Sequence, residues 1–160
     1  MFATPGDSLP KLATIAVATG RVDPFATTGG ATAPVWSAVT RRLAYIEPTQ
    51  TVPVRQRIRF ANEAGEQIFA TFPSDSVTFN NAVLAWSPDG KRLAALNIVG
   101  NGGTSLWIAE PEGRDPLRKL LELPTSVLPR GMTWSADGSG VVIAYQDSTS
   151  DIVLFDLSHP

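Results

Sequence analysis

The chain has 160 residues, 43% of them hydrophobic and 18% charged, values that suit one globular domain able to bury a core. A formal net charge of -2 argues against a nucleic-acid or anionic-membrane partner, since both need a net or strongly localised positive surface. With no cysteine, disulfides, thiolate zinc sites and cysteine nucleophiles drop out together and the redox compartment stays open. Thirteen glycines and thirteen prolines predict frequent turns and many short strands. No apolar run approaches the roughly 20 residues that a membrane-spanning helix needs.

The first predicted element is the run "KLATIAVATG", Lys11 to Gly20, whose Ala16-Val17-Ala18 end imitates a signal-peptide cleavage site. Upstream, Pro5, Asp7 and Pro10 make the segment acidic and proline-broken where a leader is basic and able to start a helix. The run therefore reads as a strand that closes in a glycine turn.

Further along the chain the pair Trp-Ser recurs at Trp36, Trp86 and Trp134, at spacings of 50 and 48 residues, each time before polar turn residues and a new apolar run. Gly65 follows Trp36 by 29 residues and Gly113 follows Trp86 by 27, so a second turn holds the same register. Residues 82–123 show the unit most clearly. "AVLAW" ends in Ser87-Pro88-Asp89-Gly90, where proline presets φ, aspartate bonds its own backbone and glycine accepts positive φ, which together make a hairpin. "KRLAALNIV" runs to "GNGG", "TSLWIAE" to Pro111-Glu112-Gly113, and "PLRKLLEL" closes the unit as a fourth strand, its weak helical period notwithstanding. The nearly continuous apolar runs "AVLAW", "GVVIAY" and "IVLFDL" predict strands buried on both faces.

Four-stranded antiparallel units repeating at just under fifty residues describe the blades of a β-propeller, so the predicted fold is all-β and the propeller incomplete, with about three blades. "WSPDGKRLA" with "SLWIAEPEGRDPLRKLL", and "WSADGSGVVIAY" with "DIVLFDL", resemble the TolB-like propeller repeat, a relative of the WD-repeat propellers. The resemblance covers residues 82–157 well and 31–72 less well, because "WSAVTRR" lacks the Asp-Gly pair and predicts a turn built differently. The repeats divide the chain into residues 1–30 as the last two strands of one blade, 31–80 as a blade with the degenerate turn, 81–129 as a complete blade, and 130–160 as the first three strands of a further one. Since propellers close with four to eight blades, either the chain is a piece of a longer protein or several copies complete one ring.

Catalytic chemistry finds little support. There is no Gly-x-Ser-x-Gly, and the single histidine, His159, stands one residue from the end, where a frayed tail makes a poor base. Asp147 and Asp151 flank "STS", two carboxylates where calcium needs six to eight oxygens. "GNGG" lacks the Lys-Ser/Thr of a phosphate loop and no helix follows it. No cofactor or metal is expected.

Binding features are better represented. Arg55, Arg57 and Arg59 alternate along one predicted strand, which places three guanidinium groups on one face about 7 Å apart, either to grip a partner's anionic groups or to keep an outer strand soluble. Arg41-Arg42, Lys91-Arg92 and Arg118-Lys119 recur at matching places and predict a solvated rim. Trp36, Trp86 and Trp134, with the turn residues Asp89, Gly90, Asp137 and Gly138, are read as structural repeat positions, and Trp107, present in one unit only, as a residue able to face a neighbour.

Three functions fit. The first is a non-catalytic module binding protein or peptide on one rim. The second, which the resemblance implies, is a sensor or gating domain of a larger enzyme such as a bacterial Ser/Thr kinase or a prolyl-peptidase-like hydrolase. The third is a central-channel ligand site, for which the inner strands offer only Arg130. Protein or peptide partners and self-association are expected, nucleic acid and membrane insertion are not. The resemblance implies the bacterial periplasm or cell envelope, although the chain shows no convincing leader.

Overall fold

The structure, a computed structural model, describes residues 12–25, 30–48, 56–66, 82–99, 103–112, 117–124, 128–146 and 152–156. Twelve strands make up its regular structure: β1 (Ala13–Ile15), β2 (Val22–Pro24), β3 (Thr32–Ser37), β4 (Arg42–Pro48), β5 (Gln56–Ala61), β6 (Val83–Trp86), β7 (Leu93–Val99), β8 (Gly103–Ala109), β9 (Leu117–Leu123), β10 (Leu128–Trp134), β11 (Gly140–Gln146) and β12 (Ile152–Asp156). They form an antiparallel hairpin, β1-β2, and three antiparallel sheets in which every neighbour in space is a neighbour in sequence: β3-β4-β5, β6-β7-β8-β9 and β10-β11-β12. These three sheets are blades I, II and III. "PLRKLLEL" is strand β9, as its place in the unit requires.

The hairpins opening blades II and III are near-copies. Ser87 O–H donates to Asp89 Oδ1 at 2.6 Å, Lys91 N–H to the same oxygen at 3.0 Å, and Arg92 N–H to Ser87 Oγ at 2.9 Å. Ser135, Asp137, Ser139 and Gly140 repeat the set at 2.6, 3.0 and 2.9 Å. Gly90 and Gly138 sit at φ 70° and 73°, the left-handed conformation that side chains resist. Blade I spans the same interval, since Trp36 pairs with Leu43 as Trp86 does with Leu93 and Trp134 with Val141. With no Asp-Gly pair, Thr40 N–H and O–H turn to Ser37 Oγ and the left-handed position moves to Arg41, at φ 53°.

The blades stack through their faces, and β3 lies against β6 as β6 lies against β10. Because side chains alternate along a strand, the fully buried run Leu93–Leu96 of β7 serves both neighbours. Leu93 and Ala95 join Ala44, Ile46, Ile58 and Phe60 of blade I, while Ala94 and Leu96 join Val141, Ile143 and Trp134 of blade III. A third cluster sets Leu12 and Phe25, beside the β1-β2 hairpin, against Leu43, Tyr45 and Ala61 on the other face of blade I.

The expectation of strands buried on both faces is met only in part by β6, where Leu84 is buried and Val83, Ala85 and Trp86 are half-buried, and is not met by β11. Val141 and Ile143 are buried against blade II, but Ala144 is exposed, because no described sheet covers the far face of blade III. The side chains of "IVLFDL" lie outside the described residues.

Candidate functional site

Two of the three repeat tryptophans dock their blade onto the one before it. Trp86 Nε1 donates to the carbonyl of Val35 at 3.2 Å, and Trp134 Nε1 to the carbonyl of Ala85 at 2.9 Å, so the acceptor is in each case the residue preceding the previous tryptophan. Phe60 leans on Trp86 with ring centroids 5.6 Å apart. Arg92 lies over the Trp134 ring, 4.9 Å from its centroid, and donates to the Gly138 carbonyl at 2.8 Å, a cation–π and hydrogen-bond clamp between blades II and III. The third position departs from the expected blade core. Trp36 is 45% exposed, because no described inner strand precedes its blade. It lines an apolar pocket of about 350 Å³ with Leu12, Pro34, Leu43 and Phe25.

The arginine row resolves into a buried charge cluster. Arg55 lies outside the described residues, while Arg57 and Arg59 on β5 face β4 across the sheet and converge on Glu47, whose side chain is 1% exposed. Arg59 Nε donates to Glu47 Oε2 at 2.5 Å and an Arg57 terminal nitrogen to the same oxygen at 3.3 Å. Burial, and secondarily the Glu47 charge, raise the Tyr45 hydroxyl above its ordinary value, with Arg59 and Arg57 opposing. A buried carboxylate needs such partners, so at least part of the guanidinium capacity of this row is spent inside the blade. Sequence reading passed over Glu47. Its signal was a lone carboxylate directly after the apolar run "LAYI", and only the strand register, which pairs Glu47 with Arg57, makes it legible.

The turn rim carries the second polar feature, a cleft of about 620 Å³ between blades I and II, lined by Val39, Thr40, Arg42, Asp89, Lys91, Arg92 and the Glu110–Glu112 turn. Arg42 donates to Glu112 at 2.8 Å and so bridges the two blades. Asp89 is held as the anion, first by the Ser87 hydroxyl and then by the Lys91 N–H, and its carboxyl is pulled below the ordinary range. The predicted solvated rim is thus a mixed one. Arg41, Lys91, Arg118 and Lys119 are exposed, Arg41 pairing with Glu63 and Lys119 with Glu122, whereas Arg42 and Arg92 are drawn into the junctions between blades.

Trp107 is half-buried against the core shared by blades I and II, its indole N–H donating to Ser105 Oγ at 2.9 Å. Arg130, the one charged residue of the inner strands, pairs with Gln146 through both Nε, at 3.2 Å, and a terminal nitrogen. Asp147, Asp151, His159 and all but Gly103 of the glycine loop lie outside the described residues. Among the described residues no group of three or more histidine or acidic side chains is placed to hold a metal ion.

No protein-family model matches the chain, and no curated protein does. Solved structures do. TolB from Acinetobacter baumannii superposes on 94% of the chain with a TM-score of 0.68 at 16% identity, the match taking up 36% of TolB. The β-propeller domain of the Trilobed protease from Pyrococcus furiosus, described as having an open velcro topology, matches 81% of the chain at TM-score 0.51 and 18% identity, over 42% of its own length. Acylaminoacyl peptidase from Pyrococcus horikoshii matches 71% of the chain at TM-score 0.50 and 17% identity, over 17% of its own length. The chain therefore spans well under half of each of these structures.

Proposed function

From the premise of a partial TolB-like β-propeller, we propose that the chain is a non-catalytic propeller module that binds a protein or peptide partner in the turn-rim cleft between blades I and II. The fixed alternation of charge there supports this reading: Arg42 and Glu112 are tied across the two blades at 2.8 Å, and Asp89 is locked by its own turn beside Lys91. Such a cleft offers oriented cations and anions on rigid hairpins, which favours an extended segment of mixed charge over a small ligand. In the arginine row, Arg57 and Arg59 share the buried Glu47 carboxylate, which favours the rim as the place for recognition.

A displayed random-peptide library selected on the immobilised chain tests this. Selected peptides are expected to carry both charge signs, and to lose at least tenfold in affinity on Lys91→Glu while the circular dichroism spectrum stays unchanged. Selected peptides that bind the Lys91→Glu variant as well as the original would place recognition elsewhere. A second reading, a propeller domain working beside an enzyme in a longer protein, draws support from the likeness to an acylaminoacyl peptidase and a protease propeller domain. A kinase or hydrolase encoded next to this segment would favour it.

A further inference from the structure

Among the described residues, the docking rule between blades leaves one donor, on the first blade, and one acceptor, on the third, without a counterpart. We propose that a second copy of this chain docks head to tail, so that the Trp36 face of each copy receives the far face of blade III of the other, with Trp36 Nε1 donating to the Thr133 carbonyl, and that two copies close one ring.

The internal junctions supply the template. Trp86 and Trp134 each seat on a small apolar surface of the preceding blade and bond the carbonyl one residue before its tryptophan. That surface consists of Val35, Ala44 and Ile46 in blade I, and of Ala85, Ala94 and Leu96 in blade II. The corresponding positions of blade III are Thr133, Val142 and Ala144. They keep the small or aliphatic character, and Thr133 and Ala144 are exposed. At the other end, Trp36, Leu43 and Tyr45 stand where Trp86, Leu93 and Ala95 stand in blade II; Leu43 and Tyr45 are already covered by Leu12 and Phe25, so the open part of this face is Trp36 and the mainly apolar pocket beside it. One chain thus presents both halves of a heterologous contact, which generates a closed ring if the rotation closes and an open filament if it does not. Among the described residues each copy contributes three inner strands, β3, β6 and β10, so two copies bring six, inside the range of four to eight blades over which propellers close.

Two features make this joint weaker than the internal ones. Gly140 stands in blade III where Arg92 stands in blade II, so the clamp over the tryptophan ring is missing. The β1-β2 hairpin already lies on the same flank of blade I, and it meets β12 of the second copy in competition for the outer part of the joint blade. The association is therefore concentration-dependent.

Sedimentation velocity on the full chain over a wide concentration range is the test, with 17.1 kDa as the mass of one copy. The expected result is a shift from one copy to two. Trp36→Glu and Thr133→Arg each change an exposed side chain, so their circular dichroism should match the original, and each alone should hold the chain as a monomer. An equimolar mixture of the two variants should recover the pair, because it retains one intact Trp36–Thr133 contact and places the introduced opposite charges together at the other. A monomer at every concentration overturns the proposal and assigns the Trp36 face to some other occupant. A pair that survives both substitutions, or a mass that grows without limit, overturns it as well.

Discussion

Blade II and the β1-β2 hairpin are made of similar residues and fare differently. Five consecutive residues of β7, Leu93 to Asn97, are buried, while in the hairpin Ile15 is 64%, Val17 99% and Val22 58% exposed. "LAALN" gains a neighbour on each face. Among the described residues "ATIAVA" has blade I on one flank only, through Leu12 and Phe25. The difference teaches that a propeller strand is stabilised by the blades beside it more than by its own composition, as in repeat proteins whose stability is a sum of unit and interface contributions.

The largest effect that sharpens this contrast is a cavity in the blade I–II core. Phe60→Ala removes a fully buried ring that leans on Trp86, and should cost about 3–5 kcal/mol by urea denaturation, whereas Val17→Ala should stay within about 0.5 kcal/mol. Equal costs at the two positions would break the comparison.

Glu47→Ala comes next. It strands two guanidinium groups that are 25% and 17% exposed, so the penalty of about 3–5 kcal/mol for halving a buried pair should be reduced by their access to water to about 2 kcal/mol. The additional substitutions Arg57→Met and Arg59→Met should recover most of the loss, which a purely volumetric defect at Glu47 would not allow.

Third, the two copied turns should respond unequally. A Cβ on Gly138 meets nothing nearer than 3.5 Å and adds only the strain of its left-handed φ, about 1–2 kcal/mol, whereas on Gly90 it falls 2.6 Å from Ser37 Oγ and 2.7 Å from Thr40 Cγ2. Gly90→Ala should therefore exceed Gly138→Ala in cost, and the reverse order would contradict the stacking of this turn on blade I.

The smallest effect is one of pH. The Ser135 hydroxyl, then the Ser139 N–H and hydroxyl, hold the Asp137 carboxyl down at about 2, below the roughly 3.9 of an unfolded chain. A depressed folded value stabilises at pH above the unfolded one, so this contribution is complete above about pH 4 and is lost as pH falls toward 2. The unfolding midpoint of Asp137→Asn should fall less steeply across that window than that of the original chain.

Much of this architecture was legible beforehand. Three Trp-Ser landmarks and two Ser-x-Asp-Gly turns carry their geometry locally, so the hairpins of blades II and III follow from residues within a few positions of one another, while β9 as a strand follows from its place in the repeat. The degenerate turn of blade I was legible as an absence. Partnership across the sheet or between blades was not. Trp36 opens with the same Trp-Ser pair as Trp86 and Trp134, yet no described inner strand precedes it to dock on. Arg42 and Arg92 look like rim cations until Glu112 and Trp134 are brought beside them. Glu47 became meaningful once the β4-β5 register set it opposite Arg57.

Amide hydrogen exchange, resolved to single strands, tests most directly whether flanking blades set local stability. The slowest exchange is expected in β7 and β8, whose ladders run from Leu93↔Ala109 to Val99↔Gly103 inside blade II, with protection approaching that of global unfolding. The three-residue ladder of β1 and β2 should exchange orders of magnitude faster. Comparable protection in the hairpin and in blade II would contradict the account, since the two would then draw their stability from something other than their neighbours.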